Sequence, residues 1–271
     1  IETQFIFTAN PEDYTNRGSI VTPLKDRIGS QILTHYPHNR VIAKKITEQE
    51  SRKAVEKTNK IHVPELALDI LEQIGFEARK SDYIDAKSGV SARMSITSFE
   101  NLVSAAERRA IINNDNETCV RLTDFSGVIS SINGKVELVY EGEQEGAEQI
   151  SYYLISQAIK SIFPELFPKI EKLEKSDSKG PYDNLLAWFF NDNQLYIDDC
   201  FNDEEYQKTL GSIKTLNEIV EKYQPNVDEK DRFFMMEFLL WGLEANKKLS
   251  KLRSLEGFEF KDSLGSYIGR L

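Results

Sequence analysis

Cysteine, histidine and methionine are all scarce in this chain of 271 residues, at two, three and three. The two cysteines, Cys119 and Cys200, form no Cys-x-x-Cys pair. That excludes a disulfide-stapled framework and fits free thiols in a reducing cytosol. His35 and His38 are close together, but no Cys or third His stands beside them to complete a ligand set, so the stretch reads as a surface loop rather than a zinc site. Long apolar runs are also missing. A membrane-spanning helix needs about 20 apolar residues. The longest candidate here, Phe233 to Trp241, is interrupted by Glu237 and reads as a buried helix. Positive charge is not in excess: the net charge is -10. Uniform binding to nucleic acid is thereby disfavoured, and with no basic aromatic stripe a DNA motor is the weakest reading. Two further motifs are absent. There is no Gly-x4-Gly-Lys-[Ser/Thr] phosphate loop, since Gly134-Lys135 is followed by Val136. Nor does an apolar strand end in Asp-Glu to hold Mg²⁺; Asp198-Asp199 reads as a solvated turn in a helical, aromatic stretch.

What remains is a composition able to build real cores. Hydrophobic residues make up 40% and charged residues 29%, with a mean hydropathy of -0.45, as in a soluble cytoplasmic protein. The chain opens on Ile in what reads as mid-strand, which suggests a piece of a longer protein. Charge is uneven: residues 1–60 carry ten Lys/Arg against seven Asp/Glu, while the remainder is strongly acidic. A basic segment of this kind suits an anionic ligand such as nucleotide phosphate, or an acidic neighbouring subunit; chance imbalance is the plain alternative.

Hydrophobic spacing predicts the elements. Phe5-Ile6-Phe7 reads as a buried strand ended by Asn10-Pro11, Thr22-Pro23 as the start of a short helix closed near Gly29, and 30–36 as a second strand. A helix is expected from Thr47 with a capping-box start, a second after Pro64, and a third from about Ser91 to Asn113. Asn133-Gly134 between two β-rich runs predicts a hairpin. Residues 147–175 return to helix with a break around Pro164 and Pro168, 175–181 read as a linker, and 182–271 as a helical tail with aromatic anchors.

Three polar residues stand out. Asn10 ends an apolar run, where a neutral amide can donate to a phosphate oxygen and orient a water; an Asn before Pro also starts an Asx turn. Arg27 follows on a short helix, with a planar fork for phosphate oxygens, or simply as the surface partner of Asp26. Arg93 opens the third helix, where the dipole mildly disfavours a cation, so an anionic partner would offset a small cost.

In their order these motifs resemble the second half of an AAA+ ATPase of the magnesium chelatase subunit I and MoxR-like branch, over about residues 1–115. Asn10 matches sensor 1 and Arg93, in Ser91-Ala92-Arg93, matches sensor 2. Arg27 matches the arginine finger, within Leu24-Lys25-Asp26-Arg27-Ile28, where Ile stands for the usual aromatic. Gly134 to Gly146 is similar to a segment of the same proteins. The resemblance implies a mainly α fold with a small β part. Residues 1–40 would be the remnant of an α/β core, 41–115 the helical lid, 116–178 a hairpin plus helices, and 179–271 a helical extension. It implies ATP and Mg²⁺ as ligands of the whole ATPase, none for this stretch alone, and no turnover without the missing phosphate loop. It further implies self-association into a ring and a von Willebrand A domain partner, with metal insertion into a tetrapyrrole or remodelling of a protein as the output. A helical protein-interaction domain without enzymatic activity is the alternative.

Overall fold

The computed structural model describes residues 3–8, 22–51, 61–86, 88–170 and 180–263. It is mainly helical, with two small sheets. A short helix, α1 (Thr22–Lys25), precedes α2 (Arg40–Glu50), whose first turn is closed by Asn39: its side-chain oxygen accepts the Ile42 N–H at 2.9 Å. The capping-box start expected at Thr47 is therefore displaced. Thr47 lies in the last turn of α2, and Asn39, in a stretch read as loop, is the cap. Pro64 introduces α3 (Glu65–Ala78) as its fixed backbone angle allows. The third helix, α4 (Arg93–Asn113), ends at Asn114, whose φ of 58° is the left-handed cap that Asn tolerates. The apolar stripes Ala67, Ile70, Leu71, Ile74 and Met94, Leu102, Val103, Ala106 are buried. Between these helices, β1 (Ile61–His62) pairs in parallel with β2 (Thr118–Cys119), setting His62 opposite Cys119.

Three expectations are corrected. Neither 3–8 nor 30–36 is a strand; Phe5, Ile6 and Ile32 are 74%, 83% and 88% exposed. Apolar alternation alone does not make a strand: an extended segment needs a neighbour for its backbone groups, and none of the described strands pairs with either stretch. The expected hairpin is helical instead. A 3₁₀ helix (Thr123–Val128) runs into α5 (Ile129–Asn133), and Gly134 closes it with right-handed backbone angles. Val128 and Ile132 are four apart and fully buried, so the β-branched run met the core with helical spacing. Leu138 keeps a trace of the second strand as a single antiparallel bridge to Ile84. The tail, finally, is not helical throughout.

After α6 (Tyr140–Glu145) comes α7 (Ala147–Leu166), the helix on which both halves pack. It continues through Pro164 and ends at Leu166, inside the Phe163–Pro168 stretch where a kink or break is expected. The tail supplies α8 (Asp183–Phe190), α9 (Asp203–Gly211), α10 (Lys214–Tyr223) and α11 (Arg232–Ala245). It also forms an antiparallel sheet, with β5 (Gly257–Asp262) central between β3 (Leu195–Asp198) and β4 (Leu249–Arg253). Asp198 thus ends a strand, and Asp199 pairs with Arg253 at 2.7 Å. α11 is apolar nearly all round because it is enclosed by α7, α10 and β4. Gly242 lets it approach α7: a Cβ there would lie 2.0 Å from the Phe163 ring.

Buried charge joins the helices of the first half to the tail. Arg109 of α4 donates two bonds to Asp124, at 3.2 and 2.9 Å, and one each to Thr118 and the Cys119 carbonyl at 2.8 Å. Arg121 donates to the Phe201 carbonyl at 2.7 Å and to Asp203, and lies 4.1 Å over the Tyr206 ring. Glu237 is fully buried and accepts from Leu122 N–H at 2.9 Å, Tyr206 O–H at 2.7 Å and Trp241 Nε1 at 3.2 Å. Burial raises its pKa to about 7, against the lowering by Tyr206 and Leu122.

Two outcomes are expected. Gly242→Ala should destabilise the fold by roughly 2–3 kcal/mol by overpacking against Phe163, read from the denaturation midpoint. Glu237 binds its proton more tightly folded than unfolded, so its contribution to stability is full below pH 4.5 and is lost as pH rises through about 7. The difference across that window is roughly 3 kcal/mol, and Glu237→Gln should flatten the profile there.

Candidate functional site

The approach to α4 is shaped by Gly89, whose φ of 70° turns the chain so that Val90 enters the core. Arg79, at the end of α3, grips that turn. Its Nε and Nη2 both donate to the Val90 carbonyl, at 3.2 and 3.1 Å. The Val90 N–H donates to the Tyr36 hydroxyl at 3.1 Å, and the Arg79 guanidinium lies 4.3 Å over the Tyr36 ring. Both polar groups of one buried peptide residue are thus satisfied by side chains from two other segments. A second brace stands one turn on. Buried Glu72 accepts from the Thr47 hydroxyl at 2.5 Å and is hydrogen-bonded by Ser95. Desolvation raises the pKa of Glu72, opposed by Thr47, Ser95 and Arg79; desolvation also lowers that of Arg79. Arg93 sits between the braces, exposed on the first turn, its own N–H donating to Ser91 Oγ at 3.2 Å.

Of the residues singled out from sequence, Asn10 lies outside the described residues. Arg27 is exposed just beyond α1, and its N–H donates to the Leu24 carbonyl at 3.0 Å. Among the described arginines, Arg40, Arg79, Arg109, Arg121, Arg232 and Arg253 have guanidiniums engaged in bonds, ion pairs or ring contacts; Arg27, Arg93 and Arg108 are exposed without them. Tyr36 meets the turn that precedes Arg93; Arg27, nine residues before Tyr36, is not brought to Arg93 by any described contact. No motif pointed to Tyr36, Arg79 or Glu72; their partners are far along the chain and no spacing links them.

A cleft of about 420 Å³ opens where β1 and β2 meet the start of α11, lined by Glu117, Thr118, Asp203, Glu229 and Phe233. At its edge, ligand atoms of His62, Cys119 and Asp231 lie within 4.8 Å of one another, close enough to hold a metal ion. The donors are already matched, however: His62 Nε2 and Asp231 Oδ1 are 2.5 Å apart. Burial first, then Asp231, Asp124 and Asp203, push the Cys119 thiol up to about 12. The set describes a hydrogen-bonded imidazole–carboxylate pair beside a protonated thiol, which as it stands is a poor nucleophile. His35 and His38 meet each other instead, with ring centroids 4.3 Å apart.

Comparison with protein-family models, curated proteins and solved structures returns no match. The site is therefore read from its own residues. Iodoacetamide at pH 8 should modify the exposed Cys200 at least about a hundredfold faster than Cys119, as followed by peptide mass spectrometry.

Proposed function

We propose that the chain is the sensor, finger and lid portion of a cytoplasmic AAA+ ATPase of the magnesium chelatase and MoxR-like kind. The observation that carries the reading is Arg93: an exposed guanidinium without an acidic partner among the described residues, on a helix turn braced from two sides. A cation is unfavourable at a helix N-terminus, and holding one there rigidly suits an anion that arrives from outside. Arg27, equally exposed on a basic segment, is suited to a second anionic contact.

In this reading ATP lies between neighbouring subunits of a ring. Asn10 orients the attacking water and Arg27 stabilises charge on the transferring phosphoryl group, an effect worth roughly 10³–10⁵ in rate. Arg93 reports the position of the lid. The phosphate grip and Mg²⁺ site, which this sequence does not contain, would be supplied by other parts of the ATPase. The output would be metal insertion or remodelling of a protein client, with a von Willebrand A domain protein as partner. A second reading, a helical interaction domain without turnover, draws on the apolar side chains that the tail leaves in solvent, Phe190 and Leu255 among them.

One substitution separates the two. In the ATPase assembled with its phosphate loop, Arg27→Ala should lower ATP turnover by at least about a thousandfold while leaving nucleotide binding in place. Undiminished turnover in that variant refutes the finger assignment, and failure of the whole assembly to bind ATP favours the interaction domain.

A further inference from the structure

We propose that His62, Cys119 and Asp231 form a binding site for a four-coordinate divalent cation of the zinc class, held through one imidazole nitrogen, one thiolate and one carboxylate oxygen, with a fourth position open to the adjoining cleft. These residues are ones that the nucleotide reading does not use.

The backbone brings the three groups together and holds them. His62 stands directly opposite Cys119 in the parallel pair of β1 and β2, and Asp231 immediately precedes α11. Each has its main chain pinned: the Val120 N–H donates to the His62 carbonyl at 2.9 Å, Arg109 to the Cys119 carbonyl at 2.8 Å, and the Met235 N–H to the Asp231 carbonyl at 2.9 Å. Outer contacts of this kind orient metal ligands in advance. The three ligand atoms lie within 4.8 Å of one another. Around a tetrahedral zinc such atoms stand roughly 3.3–3.6 Å apart. The widest pair would close by about 1 Å, and His62 and Asp231, at 2.5 Å, would open by a similar amount. Side-chain rotation supplies that, since His62 and Asp231 are 38% and 26% exposed.

Protons hold these groups in the metal-free chain. One lies between His62 and Asp231, and the Cys119 thiol donates to the Val120 carbonyl at 3.3 Å. On binding, the thiol releases its proton to solvent and the neutral imidazole keeps its single proton on the nitrogen that does not bind, so one proton leaves for each ion. The carboxylates that oppose a bare thiolate favour a dication beside it. Glu117 and Glu229 line the cleft, with Lys230 the one cation among its described lining residues; Asp203 is matched by Arg109 and Arg121. Sulfur and imidazole donors discriminate against Mg²⁺ and Ca²⁺ and suit Zn²⁺ or its spectroscopic substitute Co²⁺. The cleft of about 420 Å³ gives the ion an entry path and leaves room for water as the fourth ligand.

Titration of the chain with Co²⁺ tests this, because a thiolate bound to cobalt gives a charge-transfer band in the near ultraviolet and four-coordination gives intense visible bands. The unmodified chain should develop both with one equivalent of Co²⁺, and should lose them to Zn²⁺ but not to a large excess of Mg²⁺. Cys200→Ser should leave the spectrum unchanged. Cys119→Ser should abolish the charge-transfer band, and His62→Gln and Asp231→Asn should each weaken binding at least roughly a hundredfold, in variants whose metal-free denaturation midpoint matches that of the unmodified chain. Absence of a sulfur band in the unmodified chain overturns the site whatever the variants do, and so does a band that survives Cys119→Ser and disappears in Cys200→Ser. Undiminished binding in His62→Gln or Asp231→Asn overturns the three-ligand set.

Discussion

Two buried arginines hold this fold together, and their need for partners dictates how its halves meet. A guanidinium out of water is tolerated only when its donors are matched. Arg109 finds Asp124, Thr118 and a carbonyl of β2; Arg121 finds Asp203 and the Phe201 carbonyl. Asp203 belongs to α9, so matching the charge on the bundle requires the tail to be in place. Removing one partner would leave a charge stranded in the core, which costs far more than the intact pair contributes. The apolar core extends the same logic, running as one cluster from Ala67 on α3 to Phe260 on β5.

α4 lies between two such polar sets. Near its start, Ser95 is tied to buried Glu72; near its end, Arg109 is tied to Asp124 and Thr118. A helix of 21 residues is about 30 Å long. Pinned near both ends, it behaves as one rigid rod from the exposed Arg93 to the tail. The rod meets the tail where Arg109 donates to Asp203 of α9 at 3.4 Å.

The sequence made the bundle legible because its information is local. Pro64 before a 3.6-residue apolar stripe and the long stripe from Met94 to Ala110 locate α3 and α4 to within a residue or two. Strands were harder, since a strand is defined by its neighbour. Phe5-Ile6-Phe7 has the right residues and no described partner, whereas Leu195–Asp198 looked like part of a helical tail and became a strand because β5 lies beside it. The Asn133-Gly134 signal failed for a related reason: Val128 and Ile132 fit a helical face of the core as well as alternate positions of a strand, and burial decided between them. The exposed arginines could be picked out by type and position. The side chains that position them could not, because Tyr36, Arg79 and Val90 meet only in three dimensions.

The contrast between the cleft at β1 and β2 and the first turn of α4 follows from the same accounting of donors and acceptors. Beside β1 and β2, His62 and Asp231 satisfy each other, and Cys119 keeps its proton, so the groups most suggestive of chemistry by type are already matched. At the start of α4 the reverse holds. Val90, Ser95, Glu72 and Arg79 are matched with one another, and this fixed frame presents the guanidinium of Arg93, for which no described side chain supplies an acceptor. A matched set stabilises the fold whatever binds; an unmatched charge on a rigid frame gains only when a ligand arrives. On the reading proposed above, that difference points to the first turn of α4, rather than the richer cluster at the sheet, as the place for an anionic ligand.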